Sequence, residues 1–263
     1  MRHSSLTVLL PAAFGAGVLL LWYGVHACLD PEMRFLLPTP DAVVQAFWTQ
    51  RTSLIRATFN TLQGALIGFA LAIVVSSGLA LLLALSPLVR TTLYPYLMAL
   101  QMTPLPVLAP ICVIWVGAGL LSVSLLTFVI AFFPLVVNTT QGLISADRNL
   151  VEMFTLYRAS RTQQLFMLRV PAALPYFFTG LRIAATLAPI GAVVADMNAG
   201  SSAGNGGGLG FQAVIYSSQA KYPALFATAG TTCILGFALN AAVLGVAWFM
   251  LHHWHDSYDR TDR

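Results

Sequence analysis

The sequence predicts an all-α membrane protein, a single domain over residues 1–263 with six transmembrane helices and one structured loop between the fourth and fifth. Three observations carry this. Apolar residues make up 58% of the 263 residues and charged residues only 8%, whereas a soluble domain runs near 45–50% apolar and about 25% charged. Asp, Glu, Lys and Arg are absent from 3–29, 57–89, 91–146, 197–220 and 222–255. The basic residues outside those gaps fall asymmetrically along the chain. A soluble globule of this size and a disordered chain are both excluded, because so much apolar side chain must be buried and lipid is the place for it.

A helix needs about 20 apolar residues to cross roughly 30 Å of hydrocarbon. The gap at 91–146 holds two such spans, and 3–29, 57–89 and 222–255 hold one each. A further span fits at 174–194 if Arg182 is tolerated within it. The expected spans are 6–25, 61–85, 97–116, 121–137, 174–194 and 225–251. Pro104, Pro106 and Pro110 must break or kink the third.

With the N-terminus inside, nine of the 13 Lys and Arg lie on the inner side and four (Arg34, Arg51, Arg56 and Lys221) on the outer. Both termini are then cytoplasmic. The net charge of +4 reads as topology, and no basic cluster interleaved with aromatics marks a nucleic-acid surface. A signal peptide is the alternative for the first run, since Arg2 precedes it and Val25-His26-Ala27-Cys28 approaches a cleavage site. Cys112 and Cys233 lie in apolar runs, which points to burial rather than to a disulfide or metal site.

Before the second span, Thr39 as N-cap and Pro40 at the first helical position start a short helix along the membrane surface. The loop at 145–171 is richer. Asp147 is a candidate N-cap, and Leu150, Met153, Phe154 and Tyr157 follow at i, i+3, i+4 and i+7, one apolar stripe. Ser160 with Gln163 three residues on is a capping-box signature. A second helix carrying Leu165, Phe166 and Leu168 stops before Pro171. The loop therefore folds as two amphipathic helices about a sharp turn at Arg158-Ala159-Ser160. It packs on the chain's own helix ends or presents a docking knob to a cytoplasmic partner.

Other polar positions are sparse, and polarity inside a membrane marks function by default. Asp196 closes the fifth span at its outer end, and Gln101, Asn138 and Asn240 lie within spans. Gln101, Asn138 and Asp196 are candidates for a translocation path, though polar side chains also bridge helices. Arg182 either snorkels or meets solute. Gly200-Ser201-Ser202-Ala203-Gly204 matches G-x-S-x-G, but that elbow requires a preceding strand, so a glycine-rich linker is the plainer reading. His252, His253 and His255 beside Asp256 read as a juxtamembrane tail rather than a metal site. No phosphate-binding P-loop is present, since Lys221 is the sole lysine and lies in Ala220-Lys221-Tyr222.

Leu150 to Pro171, reading LVEMFTLYRASRTQQLFMLRVP, resembles the EAA loop of ABC-importer permease subunits. Glu152, Met153 and Phe154 stand at the Glu-Ala-Ala positions, Arg158 at the glycine position, and Leu168, Val170 and Pro171 at the closing hydrophobic-x-hydrophobic-Pro. Met153 and Phe154 replace small residues, and Arg158 replaces a glycine at a turn, so the local bend is expected to differ if φ must be positive. Leu37-Pro38-Thr39-Pro40, Thr103-Pro104-Leu105-Pro106, Phe132-Phe133-Pro134, Leu181-Arg182-Ile183-Ala184, Gly191 to Asp196 and Gly208-Leu209-Gly210 follow in order. Together they are similar to the branch serving nitrate, taurine, alkanesulfonates and vitamin precursors.

The resemblance implies a type I importer permease fold in the bacterial inner membrane, with two copies side by side. It implies a cytoplasmic ABC ATPase dimer that binds ATP and Mg, so that this chain holds no cofactor and is not itself an enzyme. It implies a periplasmic solute-binding protein on the other face. Glu152, Met153, Phe154, Tyr157, Arg158, Ala159, Ser160 and Pro171 would form the ATPase-coupling loop. The alternative is a secondary transporter or channel acting alone, which needs ionisable residues near the midplane, and the spans hold only Arg182.

Overall fold

The computed structural model describes residues 2–199 and 207–251, and every element among them is helical. The helices are α1 (Arg2–Cys28), α2 (Pro40–Thr49), α3 (Arg51–Leu85), α4 (Pro87–Gln101), α5 (Leu105–Val116), α6 (Leu120–Ile144), α7 (Arg148–Leu156), α8 (Arg161–Gln164), α9 (Val170–Ala199), α10 (Leu209–Ser218) and α11 (Tyr222–Leu251). Five are long and apolar enough to cross a membrane, with α8 and α9 joined into one rod over Arg161–Ala199. The sixth passage is a bent pair.

That pair breaks where the prolines require, but it starts ten residues before the expected third span. Residues 97–116 are not one helix; α4 starts at Pro87 and meets α5 at 100° across Met102-Thr103-Pro104. Pro104 has no N–H for the Leu100 carbonyl, and its ring would clash with the preceding turn. The chain instead tightens, with Thr103 N–H on the Leu100 carbonyl at 3.1 Å, and restarts with Pro106 in the first turn of α5. Other boundaries also move. Helix α3 begins at Arg51 and α6 runs on to Ile144, because a helix does not end where the hydrocarbon does.

Helices α3, α6 and α9 form the core. A methyl on Gly64 would collide with Val123, and one on Gly68 with the Ser124 carbonyl, so the first halves of α3 and α6 pack backbone to backbone. Their far ends meet again through Ala80, Leu83, Val136 and Leu143, so α3 and α6 run parallel. Two parallel neighbours require the chain between them to recross the membrane. The bent pair does so, with Leu97 of α4 in the cluster at the α3 C-terminus and Ala109 and Cys112 of α5 in the cluster at its N-terminus. Helix α9 is antiparallel to α6: Gly142 faces Ala173, Gly180 faces Asn138 and Gly191 faces Ile130.

The buried face of α9 is mostly small, with Ala173, Ala184, Ala185, Ala188, Ala192, Ala195 and Ala199 beside Phe178 and Leu181. Lipid tails are as apolar as leucine, so helices associate by close packing of small residues rather than by hydrophobic burial. Many large apolar side chains point outward, among them Leu71, Val74, Ile190, Ile234 and Phe237, while others such as Leu83, Leu126 and Leu135 fill the core. Cys112 is buried as expected, but Cys233 is exposed on α11, where an apolar run signals lipid contact rather than burial.

Among the described residues, helix α1 is tied to the bundle at its C-terminal end. Trp22 Nε1–H donates to the Pro38 carbonyl at 3.0 Å, the Tyr23 hydroxyl donates to Asp41 Oδ1 at 2.9 Å, and Trp22 stacks near Phe226. Thr39 occupies the N-cap of α2 with Pro40 behind it, but the Thr39 side chain makes no capping bond to the helix.

Candidate functional site

Helices α7 and α8 form a hydrogen-bonded elbow at the end of the bundle where α3 and α6 terminate. Asp147 caps α7 by accepting the Asn149 N–H at 2.8 Å. Helix α7 ends with the Arg158 N–H on the Thr155 carbonyl at 3.0 Å and the Ala159 N–H on the Phe154 carbonyl at 2.9 Å. This pairing is a Schellman closure, which needs its penultimate residue in the left-handed region. Arg158 takes that conformation at φ 54°. The arginine therefore adopts the bend a glycine would make, at a cost of about 1–2 kcal/mol.

The Ser160–Gln163 capping box is present in both directions, with Gln163 N–H on Ser160 Oγ at 3.2 Å and Ser160 N–H on Gln163 Oε1 at 2.8 Å. These bonds fix the angle between the two helices. The apolar stripe is not buried by this chain. Leu150 and Met153 are exposed, Leu156 and Tyr157 are 84% and 82% exposed, and Phe154 and Ala159 are half-buried. Glu152 and Ser160 are exposed as well. A hollow of about 530 Å³ opens beneath the turn, lined by Met153, Phe154, Tyr157, Arg158 and Met167.

The second helix does not stop before Pro171, which corrects that expectation. Residues Leu165–Arg169 form a π turn, with the Val170 N–H bonded back five residues to the Leu165 carbonyl, and α9 continues directly. Pro171 lacks the donor for Met167, and the wider turn makes room for its ring without breaking the rod. The elbow is thus covalently and helically continuous with α9 over 39 residues.

The structure does not bring the three path candidates together. Gln101 is exposed at the last residue of α4, beside the bend. Asn138 is half-buried on α6 against Gly180, its amide donating to the Pro134 carbonyl at 2.8 Å. Asp196 lies sixteen residues beyond Gly180 on α9, about 24 Å further along the axis. It is 5% exposed and is not presented to an open passage. Thr61 Oγ1–H donates to Asp196 Oδ2 at 2.6 Å and the Gly210 N–H also bonds the carboxyl. Thr61 Oγ1 in turn accepts the Leu209 N–H at 2.8 Å. Gly208 and Gly210 admit this contact, since a methyl on Gly208 would strike the carboxylate and one on Gly210 the Val193 carbonyl. Sequence reading reached Asp196 and Gly208-Leu209-Gly210 but missed Thr61, because a threonine 135 residues away carries no pairing signal.

Arg182 is exposed on α9. Gly200 to Gly204 with Ser202, and His252, His253, His255 and Asp256, lie outside the described residues.

The fold is a multi-pass bundle with a broken third passage and a hydrogen-bonded helical elbow whose apolar stripe is uncovered at one end. Residues 72–256 match the model of the binding-protein-dependent transport system inner membrane component family. The chain belongs to that family of ABC permeases, whose type I fold it shares. It is 38% identical over 213 residues to the formylaminopyrimidine transport permease protein ThiX of Halalkalibacterium halodurans, covering 80% of this chain and 82% of that one. It is 33% identical over 242 residues to the riboflavin transport system permease protein RibX of Chloroflexus aurantiacus, covering 91% and 88%. A putative aliphatic sulfonates transport permease protein, SsuC of Bacillus subtilis, is 32% identical over 203 residues, covering 76% and 71%.

Proposed function

We propose that this chain, as one transmembrane domain, forms the translocation path of an importer and couples it to a separate cytoplasmic ATPase pair. In this reading two copies lie side by side in the bacterial inner membrane with N- and C-termini cytoplasmic. A periplasmic binding protein delivers the solute. ATP and Mg bind the partner ATPase, and this chain hydrolyses nothing itself. The solute is a small polar or anionic nutrient or a vitamin precursor, the range spanned by what the relatives' names say they carry.

The observation that carries the reading is the exposure of Leu156 and Tyr157 on an elbow whose backbone is otherwise closed by hydrogen bonds. Large apolar side chains held rigidly in the aqueous end of a bundle favour a protein partner over solvent. Glu152, Met153, Phe154, Tyr157, Arg158, Ala159 and Ser160 form the contact, and Pro171 sits where the π turn passes its motion into α9. A ligand shifts a conformational equilibrium only through its differential affinity for the two states. Nucleotide reaches the permease through this contact, and the unbroken Arg161–Ala199 rod carries the displacement to the outer face. Gln101 and Asn138 remain the path candidates, while Asp196 holds the outer end of α9 to α3 and α10.

The test is coupled uptake in liposomes reconstituted with the chain, its ATPase and its binding protein. Glu152→Ala and Tyr157→Ala should abolish ATP-driven uptake while leaving membrane insertion intact. Normal coupled uptake in both variants, or uptake by this chain alone, would refute the assignment.

A further inference from the structure

A second cavity, also about 530 Å³, lies beside the elbow where three spans end. Its lining combines Arg90, Arg161 and Arg169 with Gln164 and apolar residues that include Leu85 and Ile144, and no Asp or Glu takes part. Leu85 is the last residue of α3, Arg90 lies in the first turn of α4, and Ile144 is the last residue of α6. Arg161 and Arg169 come from the start of the α9 rod. These places put the cavity at the boundary between hydrocarbon and water.

The arginines are gathered by the backbone. Four α-helical residues overshoot one turn by about 40°, so Arg161, Leu165 and Arg169 would drift around a regular helix. The wider turn at Leu165–Arg169 takes back part of that drift and sets Arg169 on the same face as Arg161. Arg90 arrives from α4 across the cavity. Arg90 and Arg169 are half-buried, and none of the three guanidinium groups has a hydrogen bond or ion pair among the described residues. Three like charges converging on one hollow repel one another, and among the described residues no carboxylate pairs with them. Pro87, the first residue of α4, also lines the cavity, at the positive end of that helix's dipole.

We propose that this cavity binds the phosphate headgroup of an anionic phospholipid, with Arg90, Arg161 and Arg169 on the phosphate and an acyl chain beginning along Leu85 and Ile144. Basic hollows between helix ends at a membrane face suit such headgroups. The apolar lining favours the lipid over a soluble phosphate, which shares the charge but not the tail. The proposal goes beyond the transport reading and does not depend on which solute is carried or whether the elbow meets an ATPase.

Native mass spectrometry of the full chain in mild detergent, equilibrated with equal amounts of phosphatidylglycerol and phosphatidylcholine, reads the preference directly. The wild type should retain phosphatidylglycerol selectively. Arg90→Gln and Arg169→Gln should each lower that preference about fivefold, the contribution of one basic residue at a membrane surface. Arg90→Lys and Arg169→Lys should keep most of it, which separates lost charge from lost fold. Equal retention of the two lipids by the wild type would overturn the proposal. So would an unchanged preference in a folded double Gln variant. Displacement of the lipid by millimolar glycerol phosphate would assign the cavity to a soluble anion instead. Disappearance of the preference in the assembled transporter would assign the arginines to a protein partner.

Discussion

Replacing Thr61 by Val removes one hydroxyl from the end of the core where α9 meets α10 and nearly nothing else. Thr61 is fully buried, and its oxygen stands between the Asp196 carboxyl at 2.6 Å and the Leu209 N–H at 2.8 Å. Two losses follow. Interhelical hydrogen bonds in membranes average about 0.6 kcal/mol and reach about 1.7, and the bond to a carboxyl belongs at the upper end. The Leu209 N–H, on a residue with no exposed surface, is left without an acceptor at about 1–3 kcal/mol. Asp196 keeps the Gly210 N–H, and the two losses sum to about 3–5 kcal/mol. Thr61→Ser keeps the oxygen and drops a methyl, for about 1 kcal/mol. Unfolding of the purified chain in mixed micelles, titrated with denaturing detergent and followed by circular dichroism, measures both variants. If Thr61→Val falls within about 1 kcal/mol of Thr61→Ser, the hydroxyl is not holding α3, α9 and α10 together.

Four further outcomes are expected. Gly68→Leu should prevent stable folding, because even a methyl there meets the Ser124 carbonyl and lies 2.6 Å from Thr127 Cβ, and recovery of monodisperse protein would count against the α3–α6 contact. Ala220→Gly relieves a left-handed alanine at φ 54° in a second Schellman closure, and should raise stability by about 0.5–1 kcal/mol in the same titration. Ser160→Ala should loosen the elbow by about 1 kcal/mol, visible as faster amide exchange at Gln163 with no change at α3. The Tyr23 hydroxyl holds the Asp41 carboxyl below the ordinary carboxylate range. The tie between α1 and α2 is then complete above that range and weakens as pH falls through the Asp41 value, so acid should free α1 to cross-linkers in the wild type but not further in Asp41→Asn.

Much of the molecule was legible in the order of its residues. Charge-free runs marked the long apolar helices but not their ends, since a charge in hydrocarbon costs enough to leave a mark in one dimension. Asp147, Ser160 and Gln163 gave the elbow, because caps are local and bond within three residues. Arg158 is the clearest case. Its place at a glycine position raised doubt about the bend, yet the Schellman bonds at 158 and 159 hold the arginine in the strained region and keep the turn.

What the linear order could not decide depended on contacts between distant segments. The run around Pro104 announced a break, but only the parallel packing of α3 and α6 shows that the bent pair must cross between their opposite ends. Pro171 signalled a stop and met instead a π turn, because the elbow and the membrane rod gain more from continuity than one missing hydrogen bond costs. Cys112 and Cys233 sit in equally apolar runs, yet one is buried and the other exposed, since lipid and protein interior look alike to hydropathy. Asp196 read as a polar residue near a passage until Thr61, Leu209 and Gly210 closed around it. The sequence by itself showed which runs are apolar enough to cross a membrane and where local caps close the elbow. The tertiary structure decided which polar groups are satisfied, because a partner brought in from another helix leaves no periodicity behind.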